Sequence, residues 1–167
     1  MKLFYFNPEQ MLIGKLKKNM FKPFHHNDKL LIEKNLKNIL GLRLLYSDYV
    51  DENGKVIADT IGMDREGRLY LVGYKKSAKD NFLKRYRKQY EDLMDMRYIF
   101  DERVKLAARR DDVTLFRCRA VFIGSKFTDE EINASDDFPI PCDLYTWCLV
   151  GNILIFDKIE KKENKKP

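Results

Sequence analysis

The residues most able to do chemistry are an aspartate and a lysine in the stretch IADTIGMDREGRLYLVGYKK, residues 57–76. This stretch is typical of a β-hairpin, with Asp59 on the first strand and Lys75 at the end of the second. The neighbours of Asp59 on its own strand face are Ile57 and Ile61, which favour a core-facing position. A buried carboxylate needs a partner or a metal ion. The ordinary alternative is a solvent-exposed hairpin face that carries both charges.

The register of this hairpin determines which residues meet. A three-residue turn that ends in Gly67 is expected, because glycine adopts the positive φ that such a turn requires. In that register Asp59 lies opposite Gly73. Side chains alternate along a strand, so Asp59, Gly73 and Lys75 share one face of the hairpin. A slip of one residue would separate them.

The elements around the hairpin predict an α/β (α+β) fold, in which a mixed central β-sheet is flanked by helices. Asn27 or Asp28 is expected to cap the first long helix, and Gly41 to end it. The predicted strands cover 3–6, 43–50, 55–64, 68–76, 113–124, 143–150 and 153–159, and the predicted helices cover 11–20, 28–40, about 79–110 and a short segment after Thr128.

Composition bounds the class of protein. The chain has 167 residues, of which 44% are hydrophobic and 13% aromatic, as expected for one folded domain. Its three cysteines have no metal-ligand spacing, and no long apolar segment is present. We therefore expect reduced thiols, a cytoplasmic protein and no membrane insertion. The expected division is an N-terminal extension (1–27), a main domain (28–160) and a polar tail (161–167).

Positive charge is concentrated just after the hairpin. The chain has a formal net charge of +6, and the window from Lys75 to Lys88 contains seven Lys or Arg residues and one acid, Asp80. Such a patch favours contacts with the phosphates of nucleic acid, although a solvated helix face is the ordinary alternative. Three tyrosines in or near the window could stack on unpaired bases: Tyr74, Tyr86 and Tyr90. The candidate phosphate contacts are Lys76, Lys79, Lys84, Arg85, Arg87 and Lys88.

Residues 28–159 resemble a known nuclease superfamily. A helix with an acid (LIEKNL), then GLRLL, the strand VIADTIGMD, a glycine turn and GRLYLVGYK are similar to the PD-(D/E)xK, or restriction-endonuclease-like, pattern. FRCRAVFIG resembles its later core strand, and CDLYTWCLVGNILIF its closing hairpin. The resemblance implies a metal-dependent nuclease in which Asp59 and Glu33 hold Mg²⁺ or Mn²⁺ and Lys75 assists the attacking water. It also suggests that Gln89 contacts nucleic acid.

One position departs from the family pattern. The family carries a second metal-binding acid where this chain has Gly73. A relocated acid, at Asp48 or Glu91, is one way to compensate, whereas a structural role for the glycine would fit a lost site.

Three functions are consistent with these features of the sequence. We expect a nucleic-acid-binding domain of nuclease fold, with DNA as its partner and impaired catalysis. The first alternative is a DNA endonuclease that uses Mg²⁺ or Mn²⁺ and a relocated acid. The second is an interaction module that keeps the fold and binds a protein partner or a second copy of itself, which an exposed apolar patch would favour.

Overall fold

A computed structural model of the chain describes residues 2–5, 23–150 and 153–160. The strands are β1 (Lys2–Tyr5), β2 (Arg43–Val50), β3 (Val56–Met63), β4 (Leu69–Tyr74), β5 (Arg119–Gly124), β6 (Cys142–Val150) and β7 (Ile153–Lys158). The helices are α1 (His26–Lys34), α2 (Leu36–Leu40), α3 (Phe82–Asp95), α4 (Arg97–Ala108) and α5 (Asp129–Ala134). The expected helix at 11–20 and the turn at 151–152 lie outside the described residues, and no described helix has the length and hydrophobicity of a membrane span.

The described strands form one mixed sheet in the order β1-β7-β6-β5-β4-β3-β2. The neighbours β4, β5 and β6 run parallel, whereas all other neighbouring strands are antiparallel. Strand β1 comes from the N-terminal extension and pairs with β7. The expected mixed sheet flanked by helices is confirmed.

Two hydrophobic clusters lie on the two faces of this sheet. One contains buried side chains of α3 and α4, and the other contains buried side chains of α1 and α2. In the first, Phe82 and Phe100 pack with Ile61 of β3 and Phe122 of β5. Each helix pair therefore covers one face, and α3 lies on the face towards which Ile61 points.

Two predicted helices are each divided in the structure. The first begins at His26, with His25 as N-cap, and the Asp28 carboxylate accepts the His25 N–H at 2.9 Å, so neither Asn27 nor Asp28 is the cap. Asn35 then separates α1 from α2, because its side chain donates to the Leu31 carbonyl at 2.9 Å, one turn earlier. Met96 similarly separates α3 from α4.

Other predicted ends are confirmed or corrected. Gly41 ends α2 with a φ of 76°, and Thr128 caps α5, where its side chain and that of Glu131 form a capping box. The strand expected over 113–124 begins only at Arg119, because a 3-10 turn at Leu115–Arg117 precedes it. Asp101 of α4 binds this turn, accepting the Leu115 N–H at 2.8 Å.

The turn between β3 and β4 is held by a carboxylate. Asp64 accepts the N–H groups of Glu66 and Arg68, both at 2.9 Å, and the Arg68 Nε at 2.8 Å. Gly67 has a φ of 83°, as the predicted turn requires. Burial acts to raise the pKa of Asp64, but the hydrogen bonds from Arg68 and Glu66 outweigh it and lower that pKa.

We predict that Asp64→Ala lowers the free energy of unfolding by about 1–2 kcal/mol near pH 7, because these donors lose an anionic acceptor. Since folding depresses the pKa of Asp64, its contribution is complete above the unfolded value near 3.9 and is lost as the pH falls through the folded value. Urea unfolding from pH 7 to pH 2 measures both effects. Glu52→Ala, in the exposed turn before β3, is the control. If the difference in the free energy of unfolding between the wild type and Asp64→Ala stayed constant with pH, this account would be contradicted.

Candidate functional site

The hairpin has the register that the sequence predicts. Thr60 pairs with Val72, which places Asp59 opposite Gly73 one step further along the strands. Asp59 is 7% exposed and Lys75 2% exposed, so the solvent-exposed alternative does not hold. The hairpin therefore presents a carboxylate and an ammonium group inside the protein, on the face covered by α3.

Gly73 is a position of close contact between α3 and the sheet. A Cβ atom built on Gly73 would lie 2.4 Å from Cζ of Tyr86 and 2.6 Å from each of its Cε atoms. Real Cβ atoms essentially never make such short contacts, and the buried Tyr86 ring is also packed against Phe122, at a centroid distance of 5.1 Å. Residue 73 is therefore glycine because an aromatic ring occupies the space of its side chain.

The Tyr86 hydroxyl joins the two strands at this point. It donates a hydrogen bond to Oδ2 of Asp59 and accepts the backbone N–H of Tyr74 at 2.5 Å. Burial raises the pKa of Tyr86 well above its usual range, and the charge of Asp59 raises it further. The phenol consequently stays neutral. It donates a hydrogen bond to the Asp59 carboxylate and adds no negative charge beside it. The family pattern, in contrast, has an acid at the position of Gly73.

Arg85 supplies the counter-charge of Asp59. Its Nη1 lies 3.7 Å from Oδ2 of Asp59, and its Nη2 lies 2.7 Å from Oδ2 of Asp80 and 3.0 Å from the Tyr74 carbonyl oxygen. The guanidinium also lies over the Tyr86 ring, 4.4 Å from its centroid. We call Asp59, Tyr86, Arg85 and Asp80 the Asp59 cluster. In this cluster a hydrogen bond and a fixed cation compensate the buried aspartate.

A lysine provides the cation for the other two candidate acids. Glu33 accepts hydrogen bonds from Thr60 Oγ1 at 2.5 Å and Ser47 Oγ at 2.9 Å. The buried ammonium group of Lys29 lies 3.7 Å from Glu33 Oε1 and 2.6 Å from Asp48 Oδ1. Asp48 has a φ of 51° beside irregular pairing of β2 and β3. Lys29 therefore occupies the position between Glu33 and Asp48 that a bound cation would need.

These donors do not fit a shared Mg²⁺ or Mn²⁺ ion. Asp59 contacts α3, whereas Glu33 contacts Thr60, the next residue of the strand, whose side chain points to the opposite face. In the described part of the chain, no three His, Cys, Asp or Glu side chains form a group that could hold a metal ion. The other proposed relocated acid, Glu91, is exposed on α3, 3.9 Å from Lys88 Nζ. We derive no chemical step through a metal here.

Lys75 lies on the same side of the sheet as Asp59 and is paired elsewhere. Its Nζ lies 2.6 Å from the Glu131 carboxylate of α5 and 3.2 Å from the Lys126 carbonyl oxygen. It also lies over the rings of Phe82 and Phe127, 5.8 and 5.5 Å from their centroids. Glu131 thus binds the ammonium group that would assist an attacking water in a working nuclease.

The candidate nucleic-acid contacts divide into two groups. Arg85 belongs to the Asp59 cluster, and Gln89 turns its buried Oε1 inwards, where it lines a mostly apolar cavity of about 20 Å³ beside Asp59. Five candidates are exposed, and we call them the cationic surface: Lys76, Lys79, Lys84, Arg87 and Lys88. The cationic surface follows the hairpin and occupies the first half of α3.

The expected base-stacking residues are not available as a group. Tyr74 is 1% exposed and Tyr86 is 7% exposed, so stacking by these two rings was a wrong expectation. Tyr74 instead stacks on Phe24, with a centroid distance of 4.6 Å. Tyr90 is half-buried. The aromatic side chains of this region build the core.

An open cleft connects the Asp59 cluster to the cationic surface. It has a volume of about 230 Å³ and lies between the N-terminus of α1 and the end of β4. Asp59, Lys29 and Asp48 line it together with the exposed Lys76. The cleft therefore leads from the exposed cationic residues to the internally neutralised acids.

Sequence reasoning missed the roles of three residues at this site: Tyr86, Lys29 and Glu131. Tyr86 was expected to stack on bases, and Lys29 was visible only as one lysine of a helix. Glu131 was visible as part of the capping box of α5, but nothing in that motif indicates that its carboxylate also binds Lys75. Each contact joins elements far apart in the chain.

Comparisons with known proteins give two similar chains. No family model matches the sequence. The chain is 24% identical over 167 residues to a Haemophilus influenzae protein named only as uncharacterized, and the match covers 97% of this chain and 54% of that protein. A chain in the structure of an EndoMS–dsDNA2 complex is similar with a TM-score of 0.43 and 12% identity, over 84% of this chain and 50% of that chain. The chain spans about half the length of each, and similarities of this size do not assign a function.

The contact between Gly73 and Tyr86 can be tested by a double-mutant cycle. We predict that Gly73→Ala alone lowers the free energy of unfolding by about 1–3 kcal/mol through overpacking, and Tyr86→Ala alone by about 3–5 kcal/mol. In the double variant, the decrease in the free energy of unfolding should be at least about 1 kcal/mol smaller than the sum of the two single decreases. The reason is that the new methyl group enters the space of the removed ring. Denaturant unfolding of all four proteins measures the coupling.

The control cycle combines Gly73→Ala with Val104→Ala. Val104 is buried in α4, and the three atoms nearest to a Cβ built on Gly73 all belong to Tyr86. These two losses should add to within about 0.5 kcal/mol. Equal additivity in both cycles would mean that Tyr86 does not explain the glycine.

Proposed function

We propose that this chain is a nucleic-acid-binding domain with a nuclease-like fold, that DNA is its partner, and that its catalysis is impaired or absent. The observation that carries the binding part is the cationic surface. Among the described residues, no carboxylate lies within 4 Å of the ammonium groups of Lys76, Lys79 or Lys84. Phosphate oxygens are suitable partners for such groups, and contacts of this kind give affinity without reading sequence.

The cationic residues do not all contribute equally. Lys88 lies 3.1 Å from Asp92, one turn further along α3, and Arg87 donates to the carbonyl oxygen of Asp137 at 2.7 Å. Both are partly engaged within the protein. The strongest phosphate contacts are therefore assigned to Lys79 and Lys84, which lie before and within the first turn of α3.

The loss of catalysis rests on the Asp59 cluster. The carboxylate that would hold a metal is hydrogen-bonded by a neutral phenol and paired with Arg85. Lys75 is paired with Glu131. Both groups of the family's catalytic pair thus have partners within the protein, and a nucleic acid would meet neither as a free group.

Binding can be tested with a charge-matched pair of variants. We predict that wild-type affinity for double-stranded DNA falls steeply as the salt concentration rises. Removing two phosphate contacts in Lys79→Ala/Lys84→Ala should weaken binding to all sequences and reduce the slope of log K against log salt by about two. Fluorescence anisotropy between 50 and 300 mM salt, about the range in which such affinities change most, measures it.

Lys34→Ala/Lys37→Ala is the matched control. It removes the same charge from exposed positions on α1 and α2, which cover the other face of the sheet. Its salt slope should equal that of the wild type. If both double variants weakened binding equally, net charge and not the cationic surface would be responsible. An affinity that does not change with salt concentration would argue against phosphate recognition.

The endonuclease alternative is tested by cleavage. We predict that the wild type, with single- or double-stranded DNA and Mg²⁺ or Mn²⁺, cleaves no faster than Asp59→Ala under conditions in which both bind the DNA. Gel analysis of end-labelled DNA measures the products. Cleavage that disappears in Asp59→Ala would reveal a working metal site. Asp48→Ala and Glu91→Ala would then identify the relocated acid.

A further inference from the structure

Large apolar side chains are exposed on α4 and on the 3-10 turn at Leu115–Arg117. Tyr98 and Leu106 are each 78% exposed, Phe116 is 63% exposed and Ile99 is 45% exposed. In the described part of the chain, no other large hydrophobic residue exceeds 40% exposure. Single exposed apolar residues are ordinary, but a group of them on one element marks an interaction surface.

Arg97 fixes the aromatic part of this group. Its guanidinium lies 4.6 Å from the centroid of the Tyr98 ring and 4.3 Å from that of the Phe116 ring. One cation therefore holds two exposed rings in place before any partner arrives. Ordered Tyr and Arg side chains lose little freedom on association, which is typical of the residues that dominate protein interfaces.

Opposite charges lie at the two ends of α4. Asp95 is the last residue of α3, immediately before Met96, where the helix is broken. Arg109 is the C-cap residue of α4 and adopts the left-handed conformation, with a φ of 56°. Both are exposed, and within the described ranges neither has an oppositely charged group within 4 Å.

The pattern is complementary to itself. Tyr98 and Leu106 are equally distant from Glu102 in the sequence, and so are Asp95 and Arg109. We propose that two copies of this chain associate through α4, antiparallel, about a two-fold axis at Glu102. Tyr98 of each copy then packs against Leu106 of the other, and Asp95 of each lies beside Arg109 of the other. Such reciprocal pairing is what a two-fold symmetric interface requires.

The charges favour a second copy over nucleic acid at this surface. Its cations, Arg97, Lys105 and Arg109, are interspersed with the exposed acids Asp95 and Glu102, and such a mixed pattern suits a second copy better than a polyanion. Glu102 lies at the axis and would face Glu102 of the second copy. Lys105 Nζ lies 3.0 Å from the Glu102 carboxylate and neutralises its charge. The surface is separate from the cationic surface, so two copies would present two DNA-binding faces.

Sedimentation equilibrium over a range of concentrations tests the association. The wild type should be in monomer–dimer equilibrium. Leu106→Glu should weaken the dimer at least about 30-fold, the loss expected for a central interface residue. Leu30→Glu is the matched control, because Leu30 is a partly exposed leucine of α1, on the other side of the sheet. It should leave the dissociation constant unchanged.

Charge reversal tests the antiparallel arrangement. Asp95→Lys and Arg109→Glu should each weaken the dimer roughly two- to tenfold, and the double variant should recover most of the wild-type affinity because the pairs are restored in reverse. Glu102→Cys should form a disulfide-linked dimer under mild oxidation, since the two axial residues face each other. Lys37→Cys, at an exposed position of α2 on the other face of the sheet, should not.

Several outcomes would overturn the proposal. A wild type that is monomeric at every concentration would do so, as would a dimer that Leu106→Glu does not weaken. If the double charge-reversal variant dimerised more weakly than either single variant, the antiparallel pairing would be excluded. A monomer whose Leu106→Glu variant loses DNA affinity would reassign the surface to nucleic acid.

Discussion

The Tyr86 ring can lie flat against the hairpin only because residue 73 has no side chain. Through this contact the phenol reaches both Asp59 on β3 and the Tyr74 N–H on β4, so one side chain of α3 is bonded to two strands. The direction of α3, and hence the position of the cationic surface relative to the sheet, follows from that bond. Phe82, one turn earlier, packs on the same face and fixes the start of the helix.

The other buried charges follow the same rule of internal compensation. Breaking a buried ion pair costs about 3–5 kcal/mol, because the remaining charge stays desolvated. Buried Asp59 is compensated by Arg85, buried Glu33 by Lys29, and buried Lys75 by Glu131. Lys29 is itself also paired with the exposed Asp48. Acids and lysines that the family pattern would place around a metal are thus each held by a cation or an acid of the chain itself.

Sequence reasoning succeeded where the determining interactions are local. The turn at Gly67 determines the hairpin register, and the register places Asp59 opposite Gly73. Both features could be predicted because the turn depends on residues only a few positions apart. The helix breaks at Asn35 and Met96 were missed, since the apolar spacing continues across both. The occupant of the space at Gly73 could not be predicted either. Tyr86 reaches it only after α3 has docked, and that docking depends on the packing of the whole face.

The Asp59 cluster also explains why no single substitution would give this site the acid pattern of the superfamily that the sequence resembles. An acid introduced at residue 73 would overlap the Tyr86 ring and would lie beside the Asp59 carboxylate without a cation of its own. Removing Tyr86 first would leave Arg85 next to Asp59, and a guanidinium in that place repels a divalent ion. Lys75 would still be bound by Glu131. Several contacts, each stabilising, would have to be broken before a metal ion could bind among these residues.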